Sequence, residues 1–364
     1  MQTRTKITVG ATVVLLVGLL AYIAASLSGE RGSSPKVGAS ATASGSARAS
    51  DEDLDPRVER RATTPAIEPI AAMAAVSDAG ASPTPLVAAR WGSARGELGR
   101  DRPQEGNPEG PMSLALAGRD LLVLDQVNGR LARYDARGRL LSTSDAPTTA
   151  QDVAVAKDGT VAMVDRLVGK SVTLVDASGR KIGDLPLEGR VKHPGLVTAV
   201  VVDGKDVYVE KEHGALVLVG TTDGTAADEG AQLAGRPTKD GALLLTAGLS
   251  SKAQGRAYIN ALDRKTGSLR FARTMLFARP SHAIVLLDSD AQGTIYLGVA
   301  GGEPGEAHIA CLDPSDGHVT GRFALPLSHT PEESFRDFTV GDDGTIAFAV
   351  RSDEGVEYRT ARCP

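Results

Sequence analysis

A glycine turn that recurs six times is the feature that most constrains the fold of this chain. Each of these glycines lies between two short runs of alternating apolar residues, as Gly159 and Gly344 show most clearly. The positions are Gly118, Gly159, Gly204, Gly241, Gly293 and Gly344. They are separated by 41, 45, 37, 52 and 51 residues. A period near ~45 residues, built from strands and tight turns, is typical of a β-propeller with one four-stranded blade per repeat.

A second glycine series lies inside the first and defines the other half of each repeat. Its members are Gly138, Gly179, Gly224, Gly267 and Gly317. Four of the five follow an aspartate that ends a strand, namely Asp135, Asp176, Asp263 and Asp313. Tight turns of this composition join antiparallel strands. We therefore expect the first series to join strands one and two of a blade, and the second to join strands three and four.

The sixth repeat lacks a fourth strand, because only two strands follow Gly344 before Pro364. One strand-like segment, Leu86 to Trp91, precedes the first complete repeat. Its pairing with the third strand of blade six would close the ring and leave no open sheet edge. The sequence thus predicts an all-β, six-bladed β-propeller over residues 86–364, closed by an N-terminal strand. The first strand of blade four should lie within residues 230–239.

The N-terminus contains a candidate membrane segment. Residues Ile7 to Leu27 form a run of 21 residues without charge, enough for a helix to cross a ~30 Å hydrocarbon core. Arg4 and Lys6 precede it, which predicts that residues 1–6 are cytoplasmic and that the rest of the chain lies outside. The length favours a retained signal-anchor (residues 7–27) over a cleaved signal peptide, whose apolar region is about 7–15 residues. Secretion after cleavage is the alternative.

Residues 28–85 are rich in Ala, Ser and Pro and lack apolar periodicity, which predicts a flexible, disordered linker. The abundance of Ala, Gly and Arg indicates a bacterial source and so places the propeller in the periplasm, on the outer side of the cytoplasmic membrane.

The net charge is −5, with 40 basic and 45 acidic residues dispersed along the chain. Because no basic block with interleaved aromatics occurs, nucleic-acid binding is not predicted.

One repeat carries a recognisable motif. It comprises Trp91 to Gly99, then Gly110 to Gly118, then Leu121 to Asp135. This stretch resembles an NHL repeat, with Asp125, Asn128 and Arg130 at the Asp, Asn and Arg positions of that family. We expect this set to tie the second and third strands together by hydrogen bonds. Blade two keeps Asp165 and Asp176 but lacks the Asn and Arg. The resemblance implies a protein-binding or ligand-binding platform, or, in a minority of such propellers, a metal-dependent lyase acting on peptide ends or cyclic peptides.

Three histidines are candidate metal ligands. His193, His282 and His329 each precede the innermost strand of a blade, and such connections emerge on one propeller face beside the channel. Three converging imidazoles could bind Zn²⁺ and leave one open coordination position. The NHL resemblance adds weight, because the amidating lyases built on such propellers are arranged in this way. The alternative is that these are ordinary loop histidines beside prolines.

Charged residues and cysteines complete the candidates. Asp152, Arg336 and Asp337 lie in predicted innermost strands and could line the channel to meet a polar ligand, or lie there simply because propeller channels are wet. Cys311 and Cys363 fall at near-equivalent places in neighbouring blades. Stacked sheets lie about 10 Å apart, beyond the reach of a disulfide, so a bond between them requires a bent chain terminus.

The sequence contains no Gly-x-Ser-x-Gly elbow, phosphate-binding loop, Cys-x-x-Cys pair or His-Glu-x-x-His helix. We therefore predict a membrane-tethered binding or scaffolding module without a cofactor, with a protein, peptide or cell-envelope polymer as partner. The alternative is a metal-dependent lyase or hydrolase that binds Zn²⁺ through the three histidines at the channel mouth.

Overall fold

The computed structural model describes residues 67–68, 83–228, 230–277, 280–302 and 305–364. These residues form 25 strands and two three-residue 3-10 helices, Gln126–Asn128 and Pro194–Leu196. The predicted signal-anchor and most of the predicted linker lie outside the described residues. Within the described part, no helix has the length and apolar character that crossing a membrane would require.

Two strands precede the repeats, β1 (Ile67–Glu68) and β2 (Thr84–Arg90). The repeats then form the first three blades, each an antiparallel four-stranded sheet in chain order from channel to rim. Blade one consists of β3 (Ser113–Ala117), β4 (Asp120–Asp125), β5 (Arg130–Tyr134) and β6 (Leu140–Asp145). Blade two consists of β7 (Asp152–Val155), β8 (Val161–Asp165), β9 (Ser171–Val175) and β10 (Lys181–Pro186). Blade three consists of β11 (Val197–Asp203), β12 (Asp206–Lys211), β13 (Leu216–Thr221) and β14 (Gln232–Leu233).

The next three blades complete a six-bladed, all-β propeller. Blade four consists of β15 (Arg236–Pro237), β16 (Leu243–Ser251), β17 (Arg256–Asp263) and β18 (Leu269–Leu276). Blade five consists of β19 (Ser281–Ser289), β20 (Ile295–Gly301), β21 (Glu306–Leu312) and β22 (Val319–Pro326). Blade six consists of β23 (Phe338–Val340), β24 (Ile346–Arg351), β25 (Gly355–Ala361) and the N-terminal strand β2.

The N-terminal strand closes the ring, as the sequence predicted. β2 pairs antiparallel with β25, with Val87 opposite Tyr358 and Ala89 opposite Val356. Val87 and Ala89 alternate inward and are buried, which fixes the register because a slip of one residue would expose both. The strand spans Thr84–Arg90, so it begins two residues before the predicted Leu86.

The glycine turns have the predicted positions and the backbone geometry that explains them. All six glycines of the first series have φ between 60° and 89° and join the first and second strands of a blade. The second series, also at positive φ, joins the third and fourth strands. At Gly344 a Cβ atom would also lie 2.8 Å from the Tyr296 hydroxyl of blade five. A residue with a side chain would therefore strain both the turn and the packing between blades.

Blade four departs most from the regular pattern. Its innermost strand lies within the predicted residues 230–239 but is only two residues long. Its outer edge is extended by β1, which pairs parallel with β18 through Ile67 and Thr274. The sequence placed Ile67 in a structureless linker, since two residues carry no detectable periodicity.

Buried apolar side chains form clusters that join adjacent blades at five places. The joined pairs are blades one and two, two and three, four and five, five and six, and six and one. Their members are mostly Val, Leu, Ile and Ala, and burying each methylene contributes about 0.8 kcal/mol. Among the described residues no such cluster joins blades three and four. That contact is instead bridged by the ion pairs Glu210–Arg236 and Asp203–Arg264.

The chain terminus is fixed to blade five. Cys363, two residues after β25, is joined to Cys311 of β21 by a disulfide with a Cα–Cα distance of 6.4 Å. The terminus approaches β22 closely at Gly321, where a Cβ atom would collide with the Cys363 sulfur. A glycine at this point thus allows the bent terminus to cross the gap between the two blades.

Candidate binding face

The topology gives the propeller two distinct faces. The turns within the first and last strand pairs of each blade lie on one face, which we call the lower face. The loops between second and third strands, and the longer connections between blades, lie on the other, the upper face. The upper face therefore carries the longest and most varied segments, which is where binding residues concentrate on a rigid scaffold.

Two of the predicted channel residues bind each other inside the ring. Asp152 is fully buried and accepts hydrogen bonds from Ser113 Oγ at 2.6 Å and from the Val200 amide at 2.8 Å. Arg336 and Asp337 lie in the connection just before β23 and not, as predicted, in the innermost strand of blade six. Arg336 donates to Asp152 Oδ2 at 2.6 Å and to the Val200 carbonyl at 3.0 Å. This set links the innermost segments of blades one, two, three and six, so the Asp152 carboxylate is already satisfied within the protein.

The third predicted channel residue also has a protein partner. Asp337 lies 2.7 Å from the buried guanidinium of Arg351 and accepts a hydrogen bond from Ser334 Oγ at 2.7 Å. Arg351 donates in turn to the Pro111 carbonyl at 2.8 Å, across the closing contact of blades six and one. The three charged residues thus make contacts within the protein that hold the blades of the ring together.

A further ion pair, not indicated by the sequence, joins the buried carboxylate of Glu210 in blade three to the half-buried Arg236 of blade four. Glu210 receives a bidentate contact from Arg236, at 2.7 and 2.9 Å, and a hydrogen bond from Thr198 at 2.9 Å. Burial alone would raise the pKa of Glu210. The charge of Arg236, with hydrogen bonds from His213, Arg236 and Thr198, outweighs burial and lowers that pKa far below its ordinary value. Arg236 also donates to the Leu287 carbonyl of blade five at 3.1 Å.

This pair predicts a specific acid sensitivity. Because the pKa of Glu210 is lower in the folded state, the unfolded state takes up a proton first as the pH falls below about 4.3, the ordinary glutamate value. The stabilisation is present above that pH and declines below it. We expect the unfolding free energy of Glu210→Gln, measured by urea denaturation, to be lower at pH 7 and to fall less steeply between about pH 5 and pH 3. The exposed Glu354→Gln is the matched control, and an identical slope in both variants would contradict the assignment.

The three predicted histidine ligands are all exposed. His193 immediately precedes the 3-10 helix Pro194–Leu196, His282 lies in β19, and His329 lies in the connection before β23. Among the described residues they form no group whose ligand atoms lie within 4.8 Å of one another. The zinc site therefore stays a prediction, which the zinc content of the purified chain tests.

One group within the described residues does bring three such side chains together, namely Asp313, Asp316 and His318. They lie in the turn between β21 and β22 on the lower face. Asp316 contacts His318 Nδ1 at 2.7 Å, and Asp313 accepts a hydrogen bond from the Ser315 amide at 2.7 Å. These contacts stabilise the turn itself, which accounts for the residue types.

The Asp, Asn and Arg set of blade one ties loops together, as expected. Asp125 accepts from Arg130 Nε at 2.8 Å, from Asn128 Nδ2 at 2.9 Å and from the Gly99 amide at 2.8 Å. Arg130 donates further to the Glu97 carbonyl at 2.6 Å. The set therefore joins the second and third strands of blade one and also fixes the segment that leads into it.

In blade two, the equivalent aspartate binds different partners. Asp165 ends β8 as Asp125 ends β4, but no Asn or Arg follows it at the motif positions. Its buried carboxylate instead accepts hydrogen bonds from the amides of Leu167, Val168 and Gly169 at 3.1, 2.9 and 2.8 Å. The loop after β8 is thereby held in one conformation. It leaves the side chains of Leu167 and Val168 55% and 71% exposed.

A neighbouring segment extends this exposed apolar surface. Arg166 donates to the carbonyls of Gly195 and Val197 at 2.9 and 3.0 Å and lies 4.9 Å from the centre of the Phe335 ring. These contacts bring the loop after β8 against the segment that carries Leu196, which is 41% exposed. We call Leu167, Val168 and Leu196 the upper-face patch.

The segments around the patch carry charged side chains of both signs. The three segments that form and flank it, residues 165–170, 187–197 and 210–213, contain five basic and four acidic side chains, a local net charge of +1. The whole chain has a net charge of −5. Lys170 pairs with Glu188 at 3.0 Å, and the Glu212 amide donates to the Leu196 carbonyl at 3.1 Å. The third segment is thus attached directly to the patch.

Sequence reasoning missed this patch, although one signal was present. Two consecutive aliphatic residues, Leu167 and Val168, stand in a connection between strands, where polar residues are usual. That alone does not show whether they are buried. Only the contacts of Asp165 and Arg166 settle that they point to solvent from a fixed loop.

No family model matches this sequence, and no curated protein matches it. Solved structures are similar at low identity. Hydrazine synthase from Kuenenia stuttgartiensis is 13% identical over 68% of this chain and 80% of that chain, with a TM-score of 0.45. A streptogramin B lyase is 13% identical over 73% and 97%, with a TM-score of 0.41. BamB from Moraxella catarrhalis is 16% identical over 69% and 84%, with a TM-score of 0.36. At these values the similarities carry no argument about function.

Proposed function

We propose that this chain is a membrane-tethered, extracytoplasmic β-propeller that binds another protein through its upper-face patch. One observation carries the proposal. The Asp165 carboxylate accepts hydrogen bonds from the amides of a loop that exposes two adjacent aliphatic side chains, Leu167 and Val168. Contiguous exposed apolar surface rimmed by polar residues is typical of a protein-interaction site.

The physical properties of the patch suit protein recognition. A loop already held in one conformation loses little conformational entropy on binding, so more of the contact energy contributes to affinity. The exposed aliphatic side chains of the patch favour a partner that offers an apolar anchor of its own. The internally paired Asp152 and Arg336 leave the channel centre less suited to a charged ligand.

The cellular setting is part of the same proposal. The uncharged run from Ile7 to Leu27 supports a signal-anchor, and the Arg4 and Lys6 side chains before it support export of the propeller. The disulfide between Cys311 and Cys363 is of the kind that persists in oxidising compartments such as the bacterial periplasm. The NHL-like motif of blade one supports a binding platform of that general type.

The proposal predicts that charge introduced into the patch abolishes partner binding without unfolding the protein. In cells expressing Leu167→Glu or Leu196→Glu, we expect the yield of the chemically cross-linked partner complex to fall at least about 30-fold, the effect of losing a central ~2 kcal/mol contact. Leu269→Glu is the matched control, because Leu269 is an equally exposed leucine (59%) on the rim strand β18. The unfolding free energy of all three variants should stay within about 0.5 kcal/mol of the parent chain.

Two results would contradict this assignment. One is a cross-linking yield unaffected by either patch substitution, and the other is an equal loss in Leu269→Glu. Stoichiometric zinc in the purified chain, lost in His282→Ala, would favour the metal-dependent alternative.

A further inference from the structure

A cavity of about 340 Å³ lies on the lower face, where the ring closes between blades six and one. It is lined by residues from the closing strand β2, from the end of β25 and from the turns of both blades. These residues are Thr84, Leu86, Leu116, Gly118, Arg119, Ala136, Asp343, Thr345, Thr360, Ala361 and Arg362. Its volume is within the range of small-molecule sites, about 300–1,000 Å³. We call it the seam cavity.

The two arginines of the seam cavity differ in what they can offer a ligand. Arg362 is engaged by the protein, because it donates to the Asp343 carbonyl at 2.7 Å and to Thr345 Oγ1 at 2.6 Å and pairs with the Asp343 carboxylate. Arg119 is exposed, and no hydrogen bond or ion pair joins its guanidinium to another residue in the part of the chain that the structure describes. A planar guanidinium in this state matches the two oxygens of a carboxylate.

The remaining walls define the rest of the ligand. Leu86, Leu116, Ala136 and Ala361 supply apolar surface, and the threonine hydroxyls supply neutral hydrogen-bonding groups. We propose that the seam cavity binds a small organic anion, with its carboxylate on Arg119 and its apolar body against these side chains. This site lies on the face opposite the upper-face patch and does not depend on it.

The position of the seam cavity couples binding to closure of the ring. β2 and β25 are held together by strand pairing, and the cavity is lined by both of them and by blade one. A ligand that contacts all three elements is bound only when the ring is closed. It therefore stabilises the closed ring by mass action and raises the temperature of unfolding.

The test uses the purified full-length chain and phenylacetate, with phenylacetamide as the neutral molecule of the same shape. Isothermal titration should show phenylacetate binding that is at least about tenfold tighter than phenylacetamide binding, the effect of a charged hydrogen-bonded contact. Arg119→Ala should weaken phenylacetate by a similar factor. Arg137→Ala removes the same charge from an exposed arginine on the same face outside the cavity and should change affinity less than twofold.

Two further readouts make the test decisive. Ala136→Trp, which fills the cavity from its exposed wall, should abolish binding of both molecules. Phenylacetate should raise the unfolding temperature of the parent chain and of Arg137→Ala, but not that of Arg119→Ala. The proposal is overturned if the parent chain gives no heat of binding, if Arg119→Ala binds as the parent does, or if Ala136→Trp leaves binding unchanged.

Discussion

Replacing Asp152 by alanine should cost the protein about 3–5 kcal/mol of unfolding free energy, the usual effect of breaking a buried ion pair from one side. The substitution leaves Arg336 without its carboxylate and removes the acceptor of Ser113 Oγ and of the Val200 amide. The three contacts of the Asp152 carboxylate are lost together, while the hydrogen bond from Arg336 to the Val200 carbonyl stays. Urea denaturation followed by the fluorescence of Trp91, the one tryptophan of the chain, measures the loss.

Two companion variants separate the ion pair from other effects of the substitution. Asp342→Ala removes an exposed aspartate in a lower-face turn and should change the unfolding free energy by no more than about 0.5 kcal/mol. The double variant Asp152→Ala with Arg336→Ala should recover part of the loss, because no uncompensated charge is left in the channel. A loss in Asp152→Ala no larger than in Asp342→Ala would contradict the role assigned to the pair.

Removing the disulfide should cost a similar amount. The bond between Cys311 and Cys363 closes a loop of 52 residues, and the loss of chain entropy in the unfolded state then corresponds to about 4 kcal/mol. The bond also fixes the end of β25, the strand on which the closing strand β2 pairs. We expect the double variant Cys311→Ala with Cys363→Ala to unfold at markedly lower urea concentration.

Reduction of the parent chain provides an independent check of the same prediction. Dithiothreitol should lower the unfolding midpoint of the parent to near that of the double alanine variant, and should leave the variant itself unchanged. If the reductant leaves the parent midpoint in place, the disulfide does not stabilise the ring.

The blade architecture was readable from the sequence because it rests on local requirements. A turn at Gly159 or Gly344 needs a positive φ, which glycine supplies without strain, and the flanking apolar alternation gives the strands. Closure by an N-terminal strand followed from counting strands in the sixth repeat. Each of these inferences uses residues that are close together in the chain.

The contacts between blades could not be read in the same way. Asp152 and Arg336 are 184 residues apart, and their pairing depends on which way two side chains point after the ring has closed. The two-residue strand β1 and the pair Glu210–Arg236 likewise leave no periodic trace in the sequence. For the same reason the blade positions of His193, His282 and His329 did not determine whether their side chains meet.

Asp125 and Asp165 lie at equivalent positions in neighbouring blades, but their carboxylates bind different partners. In blade one, Arg130 and Asn128 occupy the carboxylate of Asp125, which therefore ties strands and loops together. In blade two these partners are missing, and the carboxylate of Asp165 binds the amides of its own loop. With Val168 and Lys170 at the positions of Asn128 and Arg130, the Asp165 carboxylate binds the loop that carries the upper-face patch.

Site-specific photo-crosslinking tests the proposed function most directly. A diazirine-bearing residue is placed at position 168, in the patch, and in a separate chain at position 269, on the rim, and both chains are irradiated in intact cells. We predict a discrete adduct from position 168 that disappears when Leu196→Glu is added, and none from position 269. The same adducts from both positions, or an adduct at 168 that survives Leu196→Glu, would contradict the assignment of the upper-face patch as the binding surface.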